Sequence, residues 1–394
     1  MQTKITEIKH WDWLLVCGLI CAPMTGLRIW KIGPAEVMCF VWGLRYFPRR
    51  YYRVNILTKF FFWFLLVMGI GTVIGYLRVP NQVILSDGVP WLYLGVIALA
   101  MYDGLKQNSL AYNELLLRTF SRGAVLWYLF LWGYSRWLNP KFFGAFLWYG
   151  GVRYTGGGSN PHQLAVLMCG LVFCFVRELV EGRTLGWNLL YFMGSIFIVG
   201  QTKSSTGYLA LTLGAAVTLA VLTTRPLENS FRRGVLLLAE FLSVLLLVLL
   251  LHQWIFAVAM RWIESDPNGL GRLEIFSHIK SIFKLSPLFG LGPGEHSAIN
   301  GNQIEFHNTY LEVLAATGLV GMMTLIIFTI QLIKRCRFDL ILLAIVTAMY
   351  VYGFAGFAMR RLAYWGLIVF VLVLGEQITN AKLQREQHIQ TKTS

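Results

Sequence analysis

The sequence predicts an all-α integral membrane protein with about twelve transmembrane helices and one long, partly helical loop on the outer side. Three observations carry that expectation. Of 394 residues, 56% are apolar and only 13% charged, against about 25% charged in a soluble domain. The apolar residues fall in runs approaching the length of about 20 that a helix needs to cross the hydrocarbon core. Lysine and arginine gather in alternate intervals between those runs, as they do in cytoplasmic loops. The net charge of +15 therefore reads as topology and attraction to anionic headgroups, and nucleic acid is not an expected partner.

Taken in order, the first apolar segments, 11–27 and 31–44, are short and broken by Gly and Pro, so they form either two crossings or one re-entrant hairpin. The segment 59–77 (KFFFWFLLVMGIGTVIGYL) is clear; 88–104 and 122–136 are weaker. Clear segments follow at 161–176, 186–201, 206–224, 234–252, 308–333, 339–357 and 363–376. With the N-terminus inside, the inner intervals hold 21 of the 34 Lys and Arg, which puts both termini in the cytoplasm. No run of small residues offers a signal cleavage site, so the first apolar segment is expected to be retained. The chain then divides into helices one to nine (1–252), a periplasmic loop (253–307), helices ten to twelve (308–376) and a cytoplasmic tail (377–394). The six cysteines lie in or beside apolar segments, without metal-site spacing, and read as packing residues.

Long loops between membrane helices usually carry function. Within 253–307, Leu273, Phe276, Ile279 and Phe283 recur at helical spacing, so 272–284 is expected to form an amphipathic helix at the interface. The loop's own net charge is close to neutral, so the basic excess lies elsewhere.

Three polar clusters fall on the outer side. The first, RYTGGGSNPHQ, contains Arg153, Asn160 and His162; its glycines and the Pro161 helix start could present backbone N–H groups to an anion, or simply form a turn. In the second, Gly271-Arg272, the guanidinium could pair with a phosphate or snorkel to headgroups. The third holds Glu305, His307, Asn308, Tyr310 and Glu312. Histidine is the side chain whose ordinary pKa suits proton transfer near neutrality, although a capping role would place His307 there equally well. No nucleotide-binding loop, serine nucleophile elbow or zinc-binding histidine pair is present.

Arg153-Tyr-Thr-Gly156 with Asn160-Pro161, Gly271-Arg272, Leu288-Phe-Gly290-Leu-Gly292-Pro-Gly294, His307-Asn308-Thr-Tyr310-Leu311-Glu312 and Thr317-Gly-Leu-Val-Gly321 occur in that order. Together they resemble the O-antigen ligase and polysaccharide polymerase superfamily of bacterial envelopes, in motif detail over roughly residues 150–335. The resemblance implies a glycosyltransferase of the GT-C kind in the bacterial inner membrane. It would act at the periplasmic face on a glycan carried by undecaprenyl diphosphate, with no cofactor, nucleotide sugar or metal. His307 would be the base or acceptor-positioning residue, and Arg272 would hold the donor diphosphate. Arg153, Lys203, Asn160, His162, Asn308, Tyr310 and Glu305 would bind substrate. The acceptor would be a growing glycan for a polymerase, with a chain-length regulator as an expected partner, or lipid A-core for a ligase. The family often carries a Ser-Arg pair before the helix near 206. This chain has Lys203-Ser204-Ser205 there, which favours the polymerase. A transporter would instead rely on intramembrane acids, here Glu36, Asp103 and Glu240.

Overall fold

The computed structural model describes residues 7–46, 54–78, 83–182, 185–224, 279–294, 306–354 and 356–393. The described helices are α1 (Asp12–Cys21), α2 (Pro34–Leu44), α3 (Ile56–Arg78), α4 (Val83–Lys106), α5 (Leu110–Trp137) and α6 (Pro161–Val180). They continue with α7 (Leu185–Thr202), α8 (Ser205–Thr224), α9 (Ile279–Leu285), α10 (Thr309–Arg335), α11 (Ile341–Tyr352) and α12 (Leu362–Thr393). Two small antiparallel hairpins separate α5 from α6: β1 (Lys141–Phe142) with β2 (Ala145–Phe146), and β3 (Trp148–Tyr149) with β4 (Arg153–Tyr154). Each expected apolar segment coincides with a helix except 234–252, which lies outside the described residues, as do Arg272 and Glu305. Among the described helices, α3, α4, α6, α8, α10 and α12 are long and apolar enough to cross a membrane.

A helix that is apolar all round belongs in the middle of a bundle, and α12 is the case here: every residue from Leu362 to Glu376 is buried. Its neighbour α6 is buried almost as completely, and Gly170 lets the two approach, since a Cβ there would lie 2.5 Å from Leu367. Phe60, Phe61, Phe328 and Trp365 pack ring against ring beside α12. The opposite faces of α3 and α10 expose Phe62, Trp63, Leu66, Met323, Ile326 and Ile327, an apolar belt of the kind lipid covers.

The two ends of the bundle differ. At the inner end, named from the charge pattern, Arg177 contacts Glu114 at 2.8 Å and Asp339 at 2.6 Å. Arg118 meets Glu178 at 2.8 Å, and Glu376 takes Lys106 and the Tyr102 hydroxyl. The outer end is made of the connections 22–33, 138–160, 203–204, 286–294 and 353–361.

Helices α1 and α2 have 10 and 11 residues, about 15–17 Å each at 1.5 Å per residue. The hairpin nevertheless runs the length of the bundle. Asp12 accepts from Trp42 (2.8 Å) and Tyr112 (2.7 Å) at the inner end. At the outer end Gly26 N donates to Gly157 O at 2.9 Å. The extended segment 22–33 completes the path that the short helices leave unfinished. Glu36 starts α2 by accepting from Gly33 N at 2.9 Å and pairs with Arg28. This is a structural task for a carboxylate that a transport reading would have used.

Helix α10 is broken. Gly318 has φ 62° and ψ −161°, a region reserved for glycine. The backbone groups freed by the break are taken up by the Leu-Phe-Gly-Leu-Gly segment. Leu291 N and Gly292 N donate to Ala315 O and Ala316 O at 2.9 and 3.0 Å; Leu319 N and Val320 N donate to Pro287 O and Leu288 O at 3.0 and 3.1 Å. Gly290 and Gly292 are also left-handed, and a Cβ at either would lie within 2.6 Å of neighbouring backbone. The glycines of this motif join two helices by their main chains. Just before it, α9 buries Ile282 and leaves Lys280 and Lys284 in solvent, and Arg78 caps its end through Leu285 O at 2.6 Å.

Candidate active site

His307 stands immediately before the α10 N-cap, exposed and in the left-handed region with φ 50°. The surrounding motif holds it there. Asn308 accepts from Tyr310 N (2.9 Å) and Leu311 N (3.1 Å), the N-cap pattern, and its Nδ2 donates to Phe354 O at 2.8 Å. On the other side, buried Glu312 accepts from Phe306 N at 2.6 Å. The Tyr310 hydroxyl donates to Tyr350 O at 2.6 Å, and its ring packs on Phe354. Phe306 is pulled inward, Asn308 is tied to the α11–α12 connection, and the residue between them is turned out to solvent. Asn308 and Tyr310, expected to bind substrate, commit these polar groups to the protein.

The first cluster is built differently. The β3–β4 hairpin, closed by left-handed Gly150 and Gly151, carries Arg153. Tyr154 beside it is buried, its hydroxyl donating to Tyr128 O at 2.8 Å, and burial pushes its phenol above the ordinary tyrosine range. Arg153 Nε donates to Thr202 O at 3.1 Å, at the C-terminus of α7, where the helix dipole favours a cation. Asn160 caps α6 by accepting from His162 N at 2.9 Å. The triple glycine that could have cradled an anion is a close-packed weld. A Cβ on Gly156 would lie 2.6 Å from the Tyr128 ring, and one on Gly158 2.7 Å from Pro23 O.

His162 reaches the turn between α7 and α8 that Lys203 opens. Lys203 is exposed and left-handed, φ 49°, in the helix-terminating position that glycine usually fills. Ser204 caps α8, accepting from Gly207 N at 3.2 Å, and its Oγ lies 3.1 Å from His162 Nδ1. The His162 ring faces Tyr352 edge-on, 6.2 Å between centroids, and Tyr352 lies two residues before the Phe354 carbonyl that holds Asn308. Arg153, Lys203 and His162 are thus drawn to one turn, and the segment 352–354 links that turn to the His307 block.

Several residues of this end escaped the sequence reading. Arg361 Nη1 lies 3.2 Å from the Gln163 carboxamide oxygen, in the amide orientation that satisfies its neighbours. Gln163 is itself bonded to Thr25. Arg360 reaches Asp87 at 3.1 Å, and Lys31 approaches the same carboxylate at 3.6 Å. The signal was present: paired arginines in an outer connection run against the tendency of basic residues to stay inside. Beside Ser159, a cavity of about 650 Å³ is walled by Phe146, Trp148 and Tyr149.

Residues 189–326 match a family model described as O-antigen ligase, a range that takes in Lys203, Arg272, His307, Asn308 and Tyr310. No curated protein matches the chain. The family match supports the superfamily that the ordered motifs resemble, and with the six long apolar helices it supports a multi-pass membrane protein of polysaccharide assembly.

Proposed function

We propose that this chain, matched to the O-antigen ligase family over 189–326, is an inner-membrane glycosyltransferase. It polymerises oligosaccharide units carried on undecaprenyl diphosphate into O-antigen, capsular or exopolysaccharide at the periplasmic face. The observation that carries the reading is the presentation of His307. Seven neighbouring residues are used to expose one imidazole, at the end of the bundle that also collects Arg153, Lys203 and His162.

In this reaction an acceptor hydroxyl oxygen attacks the anomeric carbon, the bond from that carbon to the diphosphate oxygen breaks, and the acceptor proton passes to His307. Such general-base help contributes about 10²- to 10⁴-fold. The departing diphosphate gathers negative charge, and fixed cations stabilise it without reorganising; Arg272, Arg153 and Lys203 take that role. The aromatic walls of the cavity beside Ser159 offer flat apolar faces to sugar rings.

The second reading is the ligase, which moves the finished glycan to lipid A-core, and the description of the matched family favours it. The two share a donor and part on the phenotype of gene loss. A ligase mutant accumulates long lipid-linked polymer, whereas a polymerase mutant leaves single repeat units attached or none. For either enzyme, His307→Ala and Arg272→Ala are expected to abolish glycan transfer with normal membrane insertion. Wild-type glycan from both variants in a complementation gel would sink the mechanism.

A further inference from the structure

Tyr352 is 2% exposed, and its hydroxyl has no hydrogen-bond partner among the described residues. An unpaired buried hydroxyl destabilises a fold and calls for an explanation. Its surroundings are unusual in kind. Arg153 is bonded to Thr202 O, two residues before Ser204, and Arg361 to the Gln163 carboxamide, next to His162; the half-buried His162 ring lies against Tyr352 itself. Ser204 is close enough to interact with it, but without well-formed hydrogen-bond geometry, and its oxygen is already engaged by His162 and Gly207. The N-termini of α6 and α8, each capped by the residues just described, converge on the same place and add the positive ends of two helix dipoles. The guanidiniums supply donors only, and the phenol has its O–H to give; what the arrangement lacks is an acceptor carrying negative charge.

We infer that the Tyr352 hydroxyl is a binding donor for a phosphoryl oxygen of the lipid diphosphate, held between Arg153 and Arg361 at the paired helix N-termini. The inference rests on the transfer reaction proposed above and adds to it two residues outside the family match. In the conformation described, His162 occupies Ser204 and lies edge-on to the Tyr352 ring. Rotation of that imidazole toward the anion hands both hydroxyls to the ligand. Arg361 is positioned for this by Gln163, and Arg153 by Thr202 O.

The test uses the purified full chain in detergent with inorganic pyrophosphate as the probe. Pyrophosphate is expected to raise the melting temperature of the wild type. Tyr352→Phe, which removes only the unpaired hydroxyl, is expected to melt at or above the wild type without ligand and to bind pyrophosphate about ten-fold more weakly. Arg361→Gln should weaken binding in the same assay. In transfer assays with Tyr352→Phe, kcat/KM for the lipid-linked donor should fall about ten-fold, with the acceptor KM unchanged. Wild-type pyrophosphate affinity in Tyr352→Phe overturns the inference, as does a lowered melting temperature with unaltered binding. Inorganic phosphate binding as tightly as pyrophosphate would point to a lipid headgroup and overturn the diphosphate assignment. Failure here is separable from failure of the functional reading: an inactive His307→Ala beside an unaffected Tyr352→Phe removes only the diphosphate donor. An active His307→Ala and Arg272→Ala pair removes the reaction.

Discussion

Two of the residues expected to do chemistry, Lys203 and His307, sit in left-handed backbone, which costs a side-chain-bearing residue about 1–2 kcal/mol. Such outliers persist where the surroundings over-determine them, often at functional sites. Glycine carries no such penalty, so His307→Gly separates structure from chemistry. It is expected to melt within a degree or two of the wild type yet transfer no glycan, whereas His307→Ala keeps the backbone strain. A His307→Gly variant with wild-type transfer in a membrane assay would show that the imidazole is dispensable. Asn308 belongs to the support: Asn308→Ala removes an N-cap and the tether to Phe354, and should cost about 1–2 kcal/mol, read as a lower melting temperature. At this scale the sequence was legible where chemistry is rare. A histidine beside Asn-x-Tyr-Leu-Glu stands out from an apolar chain, while Tyr352 in an apolar helix looks like packing until its empty hydroxyl is seen. Asn160 and Asn308 were expected to bind substrate; that each also caps a helix is seen only from its partner atoms.

Among the elements, the broken α10 is the least legible. Thr317-Gly-Leu-Val-Gly321 continues the apolar run without interruption, and a single glycine is tolerated in a helix, so nothing local announces a break. The break exists because a distant segment, 287–292, supplies the missing hydrogen-bond partners. Gly318→Ala would need a backbone shape that only glycine adopts, and its Cβ would lie 2.4 Å from Leu288 C. The expected loss is about 1–3 kcal/mol from conformation alone, more with the collision, and melting of the purified variant measures it. The same logic explains the Leu-Phe-Gly-Leu-Gly motif, whose glycines admit a neighbouring main chain. By contrast the apolar runs of α3 and α12 were plain in the sequence, because burial or lipid contact on all sides leaves no polar stripe to confuse the pattern.

For the whole molecule, the asymmetry of the ends was legible in the count of basic residues, but their partners were not. Ion pairs join residues as far apart as Asp87 and Arg360, and spacing in sequence carries no trace of that. Arg177→Ala would take from the partly buried Glu114 and Asp339 the guanidinium that joins them, at a cost below the about 3–5 kcal/mol of breaking a fully buried pair. Little folded protein should be recovered in membranes, and undiminished yield would show that the acids find other partners. The orientation is tested by Phe143→Cys, at the exposed tip of the β1–β2 hairpin, and Arg385→Cys in the polar end of α12. A membrane-impermeant maleimide applied to cells with a permeabilised outer membrane should label the first and spare the second. The helix break also bears on how stability is distributed. The amides of Leu291, Gly292, Leu319 and Val320 share one set of hydrogen bonds across two segments far apart in sequence. They should exchange with deuterium at a common rate, because none of the four can open while the other three stay closed.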